Sequence, residues 1–228
     1  MNNLFFVYHS FKRRPLYLFT CISFLLISGC AQLPETQQEK LSNTNHLARK
    51  VQLEQLDNWR IRGKIAFIQR CTENDCQGKK DKRESVNLNW QMRADDQELK
   101  LNTFLGINVL SLESRALGSE NELHELEVDG ETYLSDNLDR LIWQLTGLNF
   151  PSEALSYWIK ALPYSNQDTM TFNEETQLPM SMKSFYSGKA WQVSFSRYKA
   201  INDLALPTML TIKQNGLLIK LSISKWTI

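Results

Sequence analysis

Two runs of strict alternation limit most sharply what this chain can fold into. Ile61, Gly63, Ile65 and Phe67 alternate with Arg60, Arg62, Lys64 and Ala66, and further on Val86, Leu88 and Trp90 alternate with Asn87, Asn89 and Gln91. A period of two belongs to a strand with one buried face. The polar residues 71–85 between the runs make the pair an extended hairpin. Shorter strand signals follow at residues 99–103, 109–114, 123–128, 131–134, 169–172, 180–186, 191–198, 208–213 and 217–226. Turn residues separate them, among them Asp129-Gly130 and Asn215-Gly216, the latter a two-residue hairpin signal that takes positive φ at little cost. Connections this short leave no room for crossovers, so the strands pair antiparallel.

Three helices interrupt the pattern. Leu47, Val51 and Leu56 recur at helical spacing, so residues 44–57 form an amphipathic helix with that stripe packed on a core. Ser135, Asp136 and Asn137 are cap candidates for a helix over 138–145 that Gly147 ends, and Pro151-Ser152 opens another over 152–161 that Pro163 closes. The expected class is α+β: an antiparallel sheet with three helices against it.

A formal charge of +1 over 228 residues gives no general electrostatic reason to expect a nucleic-acid partner. The charge is unevenly placed. Lys12, Arg13 and Arg14 are the only charged residues up to position 30, and the remainder carries 23 basic and 25 acidic side chains. An apolar stretch over 16–27 follows that basic cluster, too short to span a bilayer, and the order of the two describes a secretory signal. Its end, Leu26-Ile27-Ser28-Gly29-Cys30, resembles the bacterial lipoprotein processing box, in which cleavage frees the cysteine for lipidation. A plain cleaved signal with an incidental cysteine is the alternative. The expected divisions are a signal peptide at 1–29, a lipidated terminus and polar tether at 30–45, and a folded domain at 46–228. Such lipoproteins are kept in the inner membrane by an Asp after the cysteine. Ala31 and Gln32 stand here instead, so the outer membrane, facing the periplasm, is the expected location.

Catalytic chemistry has no support in the sequence. His46 and His124 fall in no metal or nucleophile motif and read as surface residues, and no hydrolase, zinc or phosphate-loop signature occurs. Neither a metal nor a cofactor is expected. Cys71 and Cys76 close a short loop that an oxidising compartment makes a disulfide. Lys79, Lys80, Lys82 and Arg83 beside it read as a solvated tip, with contact to anionic lipid or an acidic partner as the lesser alternative. Six Trp and 11 Phe are many for a sheet with few helices, and they fit either a filled core or an aromatic-lined acyl pocket.

Taken in order, several segments resemble the LolB family of outer-membrane lipoprotein receptors. They are the box ending in Cys30, the run from Trp59 to Phe67, Leu88-Asn89-Trp90, Leu105-Gly106, and the helical pair Leu145-Thr146-Gly147 with Pro151, Leu155, Trp158-Ile159 and Leu162-Pro163. Trp191-Gln192-Val193, Tyr198, Leu206-Pro207, Lys220-Leu221 and Trp226 complete the likeness, which covers nearly all of the mature chain.

The resemblance implies an incomplete, half-open antiparallel β-barrel with about three helices covering an apolar cavity. It implies a monomeric protein that takes lipoproteins from a LolA-like periplasmic carrier and inserts them into outer-membrane lipid. In the family an exposed leucine on a protruding loop drives insertion. Leu105 matches it, with Phe104 and Ile107 beside it, and Phe104 stands where the family commonly has proline. Phe67, Leu88, Trp90, Leu101, Leu112, Trp143, Trp158 and Phe195 are the expected walls of the acyl cavity, although a one-residue error of strand phase would turn any of them into plain core. The rival readings are a lipid-anchored envelope enzyme, for which no nucleophile–base pair is evident, and a lipopeptide-binding sensor.

Overall fold

A computed structural model describes residues 45–70, 81–147 and 149–228. Cys30, Cys71 and Cys76 lie outside the described residues, and with them the expected lipidation site and disulfide. Helix α1 (His46–Glu54) is followed by six strands, β1 (Asn58–Gln69), β2 (Lys82–Arg93), β3 (Asp96–Asn102), β4 (Asn108–Arg115), β5 (Leu123–Val128) and β6 (Glu131–Ser135). Helices α2 (Leu138–Thr146) and α3 (Ser152–Trp158) come next, then β7 (Thr169–Phe172), β8 (Pro179–Tyr186), β9 (Lys189–Ile201), β10 (Leu204–Gln214) and β11 (Leu217–Thr227).

All eleven strands join one antiparallel sheet in the order β6-β5-β4-β3-β2-β1-β11-β10-β9-β8-β7. The first and last strands therefore pair in its middle, with Ile65 opposite Leu221, and β6 and β7 are its two edges. Between these edges in the chain run α2 and α3. The sheet curls strongly. Leu221 on β11 and Val128 on β5 line the same cavity, yet five strand spacings would hold them about 24 Å apart in a flat sheet. The result is a half-open barrel with α2 and α3 in its gap.

Local chemistry sets these elements. Asn137 accepts the Arg140 N–H at 2.8 Å to start α2, and Gly147, at φ 69°, donates to the Trp143 carbonyl to end it. Asp139 in the first turn then binds three elements together, accepting from Ser152 Oγ at 2.5 Å and from Tyr186 Oη of β8 at 2.8 Å. The turn between β5 and β6 has positive φ at both Asp129 and Gly130, as two-residue hairpins require. Helix α3 ends earlier than its apolar pattern suggests, because Ala161 turns left-handed at φ 53° and Leu162 N–H returns to the Tyr157 carbonyl.

Helix α1 corrects the sequence reading. Leu47 and Val51, the stripe expected against the core, are exposed, and Arg49 and Leu53 are buried instead. Hydrogen bonding outweighs hydropathy there, because the Arg49 guanidinium reaches backbone carbonyls of Lys160, Ala161 and Ala205.

Candidate functional site

The register places the ends of the barrel unambiguously. The β3–β4, β5–β6, β8–β9 and β10–β11 turns all lie at one end, together with the β1–β2 hairpin end where Gln69 pairs with Lys82. Helix α1 and the β2–β3, β4–β5 and β9–β10 connections lie at the other.

An apolar cavity of about 240 Å³ opens toward the first of these ends. Phe67, Val86, Leu88 and Trp90 wall it from β1 and β2, Leu99 and Leu101 from β3, and Leu110, Leu112, Leu126 and Val128 from β4 and β5. Leu138, Ile142 and Leu145 of α2 cover it, with Phe150 packed on Phe67 at 6.1 Å between ring centroids. Among the described residues Glu84 is the one ionisable side chain in this wall, at its outer end.

Five of the eight residues expected at the cavity, Phe67, Leu88, Trp90, Leu101 and Leu112, thus come together in its wall. The other three do not. Trp143 lies on the outer face of α2 and is 55% exposed. Trp158 is fully buried against Trp191, ring centroids 5.8 Å apart, and Phe195 is buried core on β9, so both belong to the half of the barrel behind the cavity. Apolar character does not distinguish the two halves, since both bury their inner faces. Sequence reasoning missed Leu110, Leu126, Val128, Ile142 and Leu145. The alternation of β4 and β5 and the i, i+3, i+4 spacing in α2 carried that signal.

Phe104, Leu105 and Ile107 cap the same end on the β3–β4 turn and are 86%, 82% and 63% exposed. Thr103 fixes this tip from one side: its N–H donates to the Ile107 carbonyl at 2.8 Å, its carbonyl accepts from Gly106, and its hydroxyl accepts the Ile107 N–H. Gly106 supplies the positive φ, 84°. Asn87 of β2 also donates to the Thr103 carbonyl, so the tip is anchored without a proline at position 104. Three large apolar side chains projecting together, each mostly exposed, mark an interaction surface.

A wider hollow of about 430 Å³ lies at the opposite end, lined by charged groups that include Glu54, Asp57, Glu122, Asp136 and Lys160. His124, expected on the surface, is buried beside it. Its Nδ1 is 2.8 Å from Ser114 Oγ and its Nε2 is 3.0 Å from Glu122 Oε1. Burial pushes the imidazole below its usual pKa, against the pull of Glu122, Glu153 and Asp136.

The comparisons with known proteins agree with this geometry. The family model described as "Outer membrane lipoprotein LolB" matches residues 57–226. The chain belongs to the LolB family. It is 33% identical over 213 residues to the LolB of Aeromonas hydrophila, covering 93% of this chain and 97% of that one. With the LolB of Psychromonas ingrahamii it shares 32% identity over 207 residues, covering 90% and 93%. Vibrio cholerae LolB is likewise 32% identical over 210 residues, again at 90% and 93%. Solved structures share the fold at far lower identity. A putative outer-membrane lipoprotein-sorting protein domain from Vibrio parahaemolyticus aligns with TM-score 0.52 at 9% identity, covering 79% of this chain and 89% of that one. A LolA superfamily protein from Nitrosomonas europaea gives 0.51 at 8%, covering 80% and 92%. Family membership makes this an outer-membrane lipoprotein with a role in lipoprotein localisation. Among the described residues no helix is long and apolar enough to cross a membrane.

The Ser114–His124–Glu122 row has the composition of a hydrolytic triad but a different setting. Ser114 is 1% exposed, and its hydroxyl is held by the His124 ring and by Gln97 Nε2 at 3.0 Å. Trp90 Nε1 in turn donates to Gln97 at 3.1 Å. The row is a buried polar seam that joins the cavity wall at Gln97 to the outer hollow at Glu122.

Proposed function

We propose that this protein takes lipoproteins from a LolA-like periplasmic carrier, shelters their acyl chains in the apolar cavity, and inserts them into the outer membrane through the Leu105 tip. The supporting observation is one of placement. The cavity opens at the same end that carries Phe104, Leu105 and Ile107, so a chain leaving the wall meets an apolar projection rather than water.

The energetics explain why such a device is needed. An acyl chain of roughly 14 methylenes costs about 11 kcal/mol to expose to water. A greasy wall that binds it more tightly than the carrier does draws it across, and the bilayer is the final sink. No covalent bond changes and no nucleotide takes part. At about 240 Å³ the cavity is small beside the 300–1,000 Å³ of ordinary ligand pockets, so its wall has to give way for a cargo chain to enter. In this reading residues 1–29 are removed, Cys30 carries the acyl anchor, residues 30–45 are the tether, residues 46–228 bind cargo, and the protein acts as a monomer on the periplasmic face.

The test is to mix the protein, with Cys30 replaced, with lipoprotein-loaded carrier. Cargo moving to it and then into liposomes supports the receptor. Binding without release would favour a lipopeptide sensor, and no binding would contradict the reading.

A further inference from the structure

Six tryptophans are spread over the described barrel, and five of them, Trp59, Trp90, Trp158, Trp191 and Trp226, are no more than 5% exposed. Trp143 alone faces out. Helix α2 runs from the β6 end toward the open end, burying Leu138 and Leu141 on its inner side and presenting Arg140 and Trp143, three residues apart, on its outer side. Trp143 shares a surface cleft of about 460 Å³ with Arg140, with Ser187 of the β8–β9 turn and with Lys189 at the start of β9. That turn lies at the same end of the barrel as Leu105. Phe150 lines both this cleft and the apolar cavity.

The charges in the cleft are not equivalent. Asp139 is engaged by Tyr186 and Ser152, and Glu153 accepts from Tyr164 Oη at 2.6 Å. The side chains of Arg140 and Lys189 make no hydrogen bond or ion pair with any described residue. Exposed Lys82 lies at this end as well. An exposed indole flanked by cations on flexible stems suits the headgroup region of a bilayer, where the ring sits at the polar–apolar boundary and the cations meet phosphates.

We propose that Trp143, with Arg140 and Lys189, is a second membrane contact of the open end, seated at the headgroup level of an anionic phospholipid bilayer across the mouth from the Leu105 tip. This rests on the reading that the open end faces the membrane. Two contacts on opposite sides of the mouth would hold the cavity against the bilayer, where a single tip would leave it free to tilt.

The experiment uses the full acylated protein in phosphatidylcholine–phosphatidylglycerol vesicles with brominated acyl chains. Bromine should quench the Trp143 emission, and Trp143→Phe should lose most of the quenchable signal while the five buried tryptophans keep their spectrum, which checks folding. Arg140→Gln with Lys189→Gln should make the quenching weaker and less sensitive to salt. Equal quenching in the wild type and Trp143→Phe would overturn the proposal. So would shielding of Trp143 from acrylamide only when the carrier protein is added, which would assign the cleft to a protein partner. Neither result bears on cargo transfer, which the Leu105 loop tests separately.

Discussion

Arg49 and Lys160 cap each other's helices. The Arg49 guanidinium, on α1, donates to the carbonyls of Lys160 and Ala161 just beyond α3, at 2.9 and 3.3 Å. In return the Lys160 ammonium donates to Leu53 and Leu56 at the end of α1, at 3.1 and 3.4 Å. Each cation thus lies on the negative end of the other's helix, where unpaired carbonyls collect. Burial lowers the pKa of both, and the carboxylates of Asp57 and Glu54 partly offset this for Lys160.

Removing one side of this clasp should be costly. Arg49→Met keeps the apolar stem but leaves the Lys160, Ala161 and Ala205 carbonyls without these donors, for a loss of about 3 kcal/mol. Urea unfolding measures it, and a loss below about 1 kcal/mol would show that water replaces the guanidinium.

Gly63→Ala should destabilise the centre of the sheet. A Cβ there would lie 2.1 Å from the Ser222 carbonyl oxygen, at the register shift where β1 crosses from Arg62 to Gly63 against β11. The neighbour is backbone, so the strands must separate, and a cost of about 1–3 kcal/mol is expected in thermal or urea unfolding.

The strands of this barrel were legible because alternation records burial directly, as in Ile61, Ile65, Leu88 and Trp90. Capping chemistry likewise marked both ends of α2 at Asn137 and Gly147. Long-range pairing was not legible: nothing local in β1 announces that β11 lies beside it, apart from the glycine that lets them approach. Helix α1 misled because the pattern rule counts Leu47 and Val51 as inward and has no term for a buried arginine bound to carbonyls. His124 was hidden for a similar reason, since its partner Ser114 is set by the β4–β5 register. Of the site, the inward phase of β2 was readable, but which half of the barrel holds the cavity depends on how the sheet curls.

Stability should fall as the medium is acidified through the histidine range. The folded His124 resists protonation, so below about pH 6.5 the unfolded chain binds the extra proton and is favoured. The loss runs from about pH 6.5 down through the depressed folded value, with a slope of up to about 1.4 kcal/mol per pH unit. His124→Gln should flatten that segment of the profile. An unchanged slope would mean that the folded ring takes up its proton as readily as the unfolded one, and would contradict the account.

Leu105→Glu should separate uptake from insertion. The side chain is exposed and supports no packing, so unfolding is expected to be unchanged, as is cargo acceptance from the carrier. Release into liposomes should fall by an order of magnitude or more, since a carboxylate at this tip opposes entry into the acyl region. Normal insertion by this variant would remove the loop's role.

The most direct measurement of the central claim is site-specific photocrosslinking of cargo. A photoreactive amino acid in place of Leu101, in the cavity wall, should capture a lipoprotein's acyl chain after transfer from the carrier, whereas the same group in place of Phe195, buried behind the cavity, should not. Capture at 101 alone is the predicted result. Transfer without capture at 101, or equal capture at both positions, would contradict an acyl-binding role for this cavity.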